Sequence, residues 1–221
     1  MNDSIEEKGY NYLLKFVVIG DAAVGKSNLS LRFTHGQFKS EYQLTIGVEF
    51  NSSEIAIDNE IYRIHIWDTA GQENFRAITR SYYKNSTCAL LVYEIDSRAS
   101  FENITEWITD CKNSAPKQVL MVLVGNKCDL EDKGQRQVTE EEGREFAEKN
   151  GMLFFETSAK TGKNVEEVFK RSIAIIAKRM KENFYDLESD KCGIKIIKDE
   201  NSSLSENDSK NEKKGSEYRC C

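Results

Sequence analysis

Residues 20–27 read Gly-Asp-Ala-Ala-Val-Gly-Lys-Ser, the G-x-x-x-x-G-K-[ST] spacing of a phosphate-cradling loop. No other stretch constrains the fold as much, because such a loop works between a strand and a helix. Residues 12–19 before it are an apolar run suited to a parallel strand buried on both faces. After it, Leu29 and Phe33 stand four apart, the spacing of one helix face. In that order the polyphosphate meets a helix N-terminus, where free N–H groups and the helix dipole favour anions. Gly20 and Gly25 permit a turn tight enough to aim the backbone N–H groups of Ala22, Ala23, Val24 and Gly25 inward. Lys26 is expected to reach the β- and γ-phosphates, and Ser27 to place its hydroxyl on Mg2+.

Further strands are expected at 48–57, 61–67, 87–95, 119–125 and 153–157. Asp58-Asn59 reads as a hairpin turn, so the second and third strands should be antiparallel. Thr139-Glu-Glu-Glu142 has the form of a capping box and opens a helix that ends near Asn150-Gly151. Asn164-Val-Glu-Glu167 opens the last helix. Its apolar stripe of Val165, Val168, Phe169, Ile173, Ile176 and Met180 fits core packing. Strands alternating with helices predict an α/β fold: a six-stranded, mostly parallel sheet with one antiparallel strand and helices on both faces.

The nucleotide is specified elsewhere. Asn126-Lys127-Cys128-Asp129 follows a predicted strand and so sits at its carboxyl end, where α/β proteins bind ligands. An aspartate accepts two hydrogen bonds from N1–H and the 2-amino group of guanine, a donor pair that adenine lacks. Thr157-Ser158-Ala159-Lys160, after another strand, would close over the base with a backbone amide.

With these blocks the chain resembles the Ras-superfamily small GTPases. The resemblance covers roughly residues 12–183. It implies that Asp68, in Asp68-Thr-Ala-Gly-Gln72, holds Mg2+ through water, that the Gly71 amide contacts the γ-phosphate, and that Gln72 orients the attacking water. It also implies that Thr45 ligates Mg2+ and senses the γ-phosphate, and that Phe38 packs against guanine. The expected reaction is slow hydrolysis of GTP to GDP and phosphate, with the arginine finger supplied by a partner. Loss of the γ-phosphate would release the loops carrying Thr45 and Gly71, so that a partner binding the ordered loops reads the nucleotide state.

Ile46-Gly47-Val-Glu-Phe50, Trp67, 75–79 and Tyr82-Tyr83 resemble the segments that mark the Rab branch. Phe50, Trp67 and Tyr82 match its aromatic triad, which with Ile46 and Gly47 implies an effector surface. The resemblance leans towards Rabs of the early secretory pathway and recycling endosome. Three departures stand out: Lys84-Asn-Ser86 for the usual Arg-Gly-Ala, Glu94 for aspartate, and Ala22 for the glycine of Ras itself. The alanine methyl predicts modestly altered intrinsic hydrolysis.

Residues 1–11 are expected to be a flexible N-terminus, 12–184 the G domain and 185–221 a disordered hypervariable tail, because large apolar residues nearly vanish there. The exception is the island around Ile194, Ile196 and Ile197, read either as a fold-back onto the domain or as a segment offered to the escort protein. The chain ends in Cys220-Cys221, the pair that receives two geranylgeranyl groups in Rab proteins. From Asp186 onward nine acidic residues oppose seven basic ones, so the tail has no polybasic anchor and two lipids would have to hold it. Six cysteines without a C-x-x-C pair suggest reduced thiols. A net charge of −6 argues against a nucleic-acid partner, and no apolar run is long enough to span a membrane.

The resemblance implies a monomer that cycles between cytosol and the cytoplasmic face of Golgi or endosomal membranes. Its implied partners are a guanine-nucleotide exchange factor, a TBC-type GTPase-activating protein, GDP-dissociation inhibitor, Rab escort protein with geranylgeranyl transferase, and effectors of vesicle-mediated transport. Two other readings fit less well. A GTP-binding adaptor with negligible turnover is disfavoured by the presence of Thr45, Asp68 and Gln72. An ATP-dependent enzyme is disfavoured by Asp129.

Overall fold

A computed structural model describes residues 9–41, 43–72 and 76–197. Cys220 and Cys221 lie outside the described residues. The strands are β1 (Tyr12–Ile19), β2 (Val48–Ile57), β3 (Glu60–Thr69), β4 (Cys88–Glu94), β5 (Leu120–Asn126), β6 (Leu153–Glu156) and β7 (Ile194–Ile196). The helices are α1 (Lys26–His35), α2 (Arg76–Tyr83), α3 (Arg98–Glu102), α4 (Ile104–Ser114), α5 (Glu140–Lys149) and α6 (Val165–Lys181).

Six strands run in the order β2-β3-β1-β4-β5-β6, parallel except for the β2–β3 hairpin. Asp58 and Asn59 turn that hairpin at φ 50° and 66°. Both are left-handed, as a two-residue turn requires, and Asn and Asp tolerate that region. The capping box forms as expected: the Thr139 hydroxyl accepts from Glu142 N while the Glu142 carboxylate accepts from Thr139 N. Asn164 does not cap α6 with its side chain. Its carboxamide instead donates to Glu156 O at 2.8 Å, fastening α6 to the end of β6.

Alternation along β1 divides the interior. Leu14, Phe16 and Val18 face a core with Leu29 of α1 and Val168, Phe169, Ile173 and Ile176 of α6. Val17 and Ile19 face the other core, with Trp107 and Cys111 of α4 and Ala147 of α5. Each fully buried Val, Leu, Ile or Phe side chain among them contributes about 1.5–3 kcal/mol. Because both faces are covered, the strand ends and their loops remain as the place where a ligand can be met.

The chain stays ordered beyond Tyr185, where the sequence suggests that disorder begins. Tyr185, Cys192 and Ile194 are buried in the first core, and β7 pairs antiparallel with residues 12–14 of β1. One edge of β1 is taken by β3 along 12–18, and β4 covers the other only along 16–19. The vacant stretch of that edge is what β7 fills. Gly193 precedes it at φ 73°, and a Cβ there would fall 2.0 Å from Asn85 O. The apolar island is thus a fold-back strand, and the sheet has seven strands where six were expected.

Candidate functional site

The phosphate-loop sequence, the Asp68–Gln72 stretch, the Asn126–Asp129 stretch and residues 157–160 all lie at the carboxyl ends of β1, β3, β5 and β6. They surround a cavity of about 300 Å3, whose walls include Ala22, Ala23, Gly25, Lys26, Ser27, Phe38, Thr45, Gly71, Asn126, Lys127, Asp129, Ala159 and Lys160.

At the phosphate end, Lys26 is almost wholly buried at the start of α1, and its ammonium donates to Gly20 O at 2.8 Å and Asp21 O at 2.6 Å. Burial lowers its pKa to about 8, against the pull of Asp68 and Asp21. The Ser27 and Thr45 hydroxyls lie 2.8 Å apart. Asp68 is fully buried, and neither carboxylate oxygen makes a hydrogen bond. Burial raises its pKa to about 6; the Ser27 hydroxyl and Lys26 ammonium oppose that rise without closing a hydrogen bond.

At the other end, Asn126 staples three loops together. Its Nδ2 donates to Val24 O at 2.9 Å, across 102 positions of sequence. Its Oδ1 accepts from Thr157 Oγ1 at 3.1 Å and Ala159 N at 3.2 Å. Gly25 lies against it at φ 96°, where a Cβ would come within 2.3 Å of the carboxamide. This close approach requires glycine as much as the backbone angle does. The Ser158 hydroxyl donates to Asp129 Oδ1 at 2.6 Å.

Comparison with known proteins decides the family. The model of the Ras family matches residues 15–178. Over 174 residues the chain is 51% identical to Ras-related protein Rab-2B of Dictyostelium discoideum, covering 79% of this chain and 85% of that protein. The chain belongs to the Ras family, as a Rab-type small GTPase. Members of this family hydrolyse GTP and in general bind guanine nucleotide with Mg2+.

Several expected site residues of this Rab-type protein stand back from the cavity wall. The Val24 side chain is core, and Ser158 is buried behind Asp129. Gln72 is half-exposed and outside the wall. The aromatic triad forms a row on the surface: Phe50 meets Trp67 edge-on at 5.2 Å, and Trp67 meets Tyr82 at 5.1 Å. Phe50 is about half exposed and Ile46 more so, at 78%, so the row is not simple core packing.

Three positioning residues escaped the sequence analysis. Arg32 of α1 donates to Ala159 O and Lys160 O, each at 2.8 Å, and so holds the loop over the base end. Glu94 at the end of β4 pairs with the Lys127 ammonium. The Asp21 side chain is held by α4. Arg32 gives no local signal. Glu94 gives one only as a departure from the family pattern.

Proposed function

We propose that this chain binds GTP or GDP with Mg2+ in the cavity, hydrolyses GTP slowly and switches effector binding in vesicle-mediated transport. The observation that carries this reading is the Asn126–Val24 bond, which makes one cavity of the phosphate loop and the loop bearing Asp129.

The residues fit a magnesium ion. A buried carboxylate without a hydrogen-bond partner is costly unless a cation satisfies it. Asp68 is such a group, close to the Ser27 and Thr45 hydroxyls. One carboxylate with hydroxyls suits Mg2+, which keeps waters and shares phosphate oxygens, better than an all-protein cage. Among the described residues no group of three or more His, Cys, Asp or Glu side chains is placed to hold a metal ion. Ser27 and Thr45 would hold the ion directly and Asp68 through water, and the bound ion neutralises phosphate charge. Lys26 and the N–H groups of 22–25 would bind and orient the phosphates. Gly71 would sense the terminal one and Gln72 would orient the water. Asp129 would select guanine, Ala159 and Lys160 would cover the base, and Phe38 would pack against it.

Two prenyl groups on Cys220 and Cys221 would anchor the chain to the cytoplasmic face of a Golgi or endosomal membrane. No helix among the described residues is long and apolar enough to cross one. The row of Phe50, Trp67 and Tyr82, with Ile46 and Gly47, would meet effectors. An exchange factor, a TBC-type activating protein, GDP-dissociation inhibitor and the escort protein would complete the cycle.

The test is nucleotide content and single-turnover hydrolysis of the purified chain. Co-purified guanine nucleotide and slow, Mg2+-dependent release of phosphate support the proposal. A chain that retains no guanine nucleotide rejects it.

A further inference from the structure

Asp21 is the second residue of the phosphate loop, and its side chain points away from the cavity into the neighbouring helix layer. Asn103 Nδ2 donates to its Oδ2 at 2.7 Å, and Trp107 Nε1 donates to its Oδ1 at 2.8 Å. Both donors belong to the start of α4. Asn103 joins α3 to α4 with helical backbone angles, φ −66° and ψ −15°, and its side chain makes no capping bond. Its carboxamide is turned to Asp21 instead. A carboxylate at a helix N-terminus is also favoured by the helix dipole. Trp107 is fully buried, so its indole N–H is a fixed donor.

The rest of Asp21 touches the reactive end of the cavity. Its carbonyl accepts the Lys26 ammonium at 2.6 Å. α4 itself is braced against α2 by Arg80 Nη2–Asp110 Oδ1 at 2.8 Å. A displacement of Asp21 would therefore move the carbonyl that aims Lys26.

We infer that Asp21 is a positioning residue: by docking on Asn103 and Trp107 it fixes the phosphate loop, so that nucleotide retention depends on α4. This rests on the guanine-nucleotide reading above. Asp21 acts through Lys26 on bound phosphate before and after hydrolysis alike. Its loss weakens binding uniformly and leaves the rate of the bound complex nearly unchanged.

The experiment measures release of a fluorescent GDP analogue and single-turnover hydrolysis of preloaded GTP, in Mg2+ buffer, on the full chain. The variants are D21N, N103A and D21N/N103D. D21N sets an amide donor against one of the two existing donors, and N103A removes one of them. In D21N/N103D the donor and acceptor are exchanged and the pair can re-form. Loss of a hydrogen bond to a charged group predicts release about tenfold faster in D21N and N103A. Hydrolysis should stay within about twofold of the unmodified chain, and the double variant should recover most of the retention. N103A alters a half-buried position and keeps the test available if D21N does not fold. Unchanged release with only a lower melting temperature overturns the inference, as does hydrolysis falling in step with retention, or a double variant no better than D21N. An unmodified chain that holds no nucleotide overturns the proposed function, and this inference with it. Normal retention in both the unmodified chain and the single variants overturns the inference alone.

Discussion

The Glu94 carboxylate, at the end of β4, pairs with the ammonium of Lys127, just past the end of β5. Lys127 sits at φ 64°, in the left-handed region that a lysine rarely adopts, and lines the base end of the cavity. The pair restrains a side chain whose backbone is already strained. Both partners are partly exposed, so screening keeps the pair worth about 0.5–1 kcal/mol. Glu94→Gln should therefore speed GDP release by a few-fold at low salt, with little effect at high salt. Stopped-flow release at two ionic strengths checks this, and salt-independent acceleration would refute it.

Asp129 is pre-aimed by the 2.6 Å bond from Ser158. On the proposed reading, Asp129→Asn replaces the charged acceptor of guanine's two donors. Affinity for GDP should fall by roughly ten- to a hundredfold, with guanine preference lost. Competition binding against other nucleotides measures it.

On the proposed reading, Gln72 and Ala22 bear on the hydrolysis step. Gln72→Leu should slow single-turnover hydrolysis by about tenfold or more, which is about 1.4 kcal/mol of barrier, with GTP still retained. Ala22→Gly removes a methyl from the cavity wall and should change the rate by less than about threefold. Equal rates for Ala22→Gly and the unmodified chain would show that the methyl has no influence.

The fold-back strand is a stability element. Ile194 is 2% exposed within the first core. Ile194→Ala should cost about 2 kcal/mol or more, a drop of roughly 4–8 °C for a domain of this size. Guanine-nucleotide affinity should hold, since β7 pairs with the opposite end of β1 from the phosphate loop. Thermal melting in excess GDP reads both.

Glu142 gives a pH dependence. Arg98 and the Thr139 backbone N–H hold its carboxyl well below the usual range, at about 2. A depressed folded-state pKa stabilises the fold above the unfolded value of about 4.3 and loses that stability as pH falls towards 2. Glu142→Gln should flatten the acid limb of the melting profile between about pH 4.5 and 2. Thr139→Ala, which removes the cap, should cost about 1 kcal/mol at neutral pH. A Glu142→Gln profile parallel to that of the unmodified chain would show that the pair carries no linkage.

What could be read along the chain was what local chemistry encodes. The phosphate loop, the capping box and the hairpin turn each depend on residues a few positions apart, whose backbone angles and hydrogen bonds follow from residue type. β1 and β2 were expected at the bounds observed, because an apolar run and a strand ending in a turn are both local patterns. The family motifs gave the cavity its walls in the same way.

The tertiary structure decided the pairings across long separations. Nothing local in Asp21 announces Trp107, and nothing in Asn126 announces Val24, because those contacts exist only once β1, β4 and β5 lie side by side. The fold-back of residues 194–196 was left open between two readings for a related reason. Three residues of strand amid polar sequence have too little apolar surface to order themselves. They are ordered by a place on the edge of β1 that β4 leaves uncovered, and only the assembled sheet creates that place. The sequence by itself thus determined which ligand class the loops suit. The assembled sheet determined which residues hold those loops still, because those side chains lie within reach of one another only where the strands are aligned.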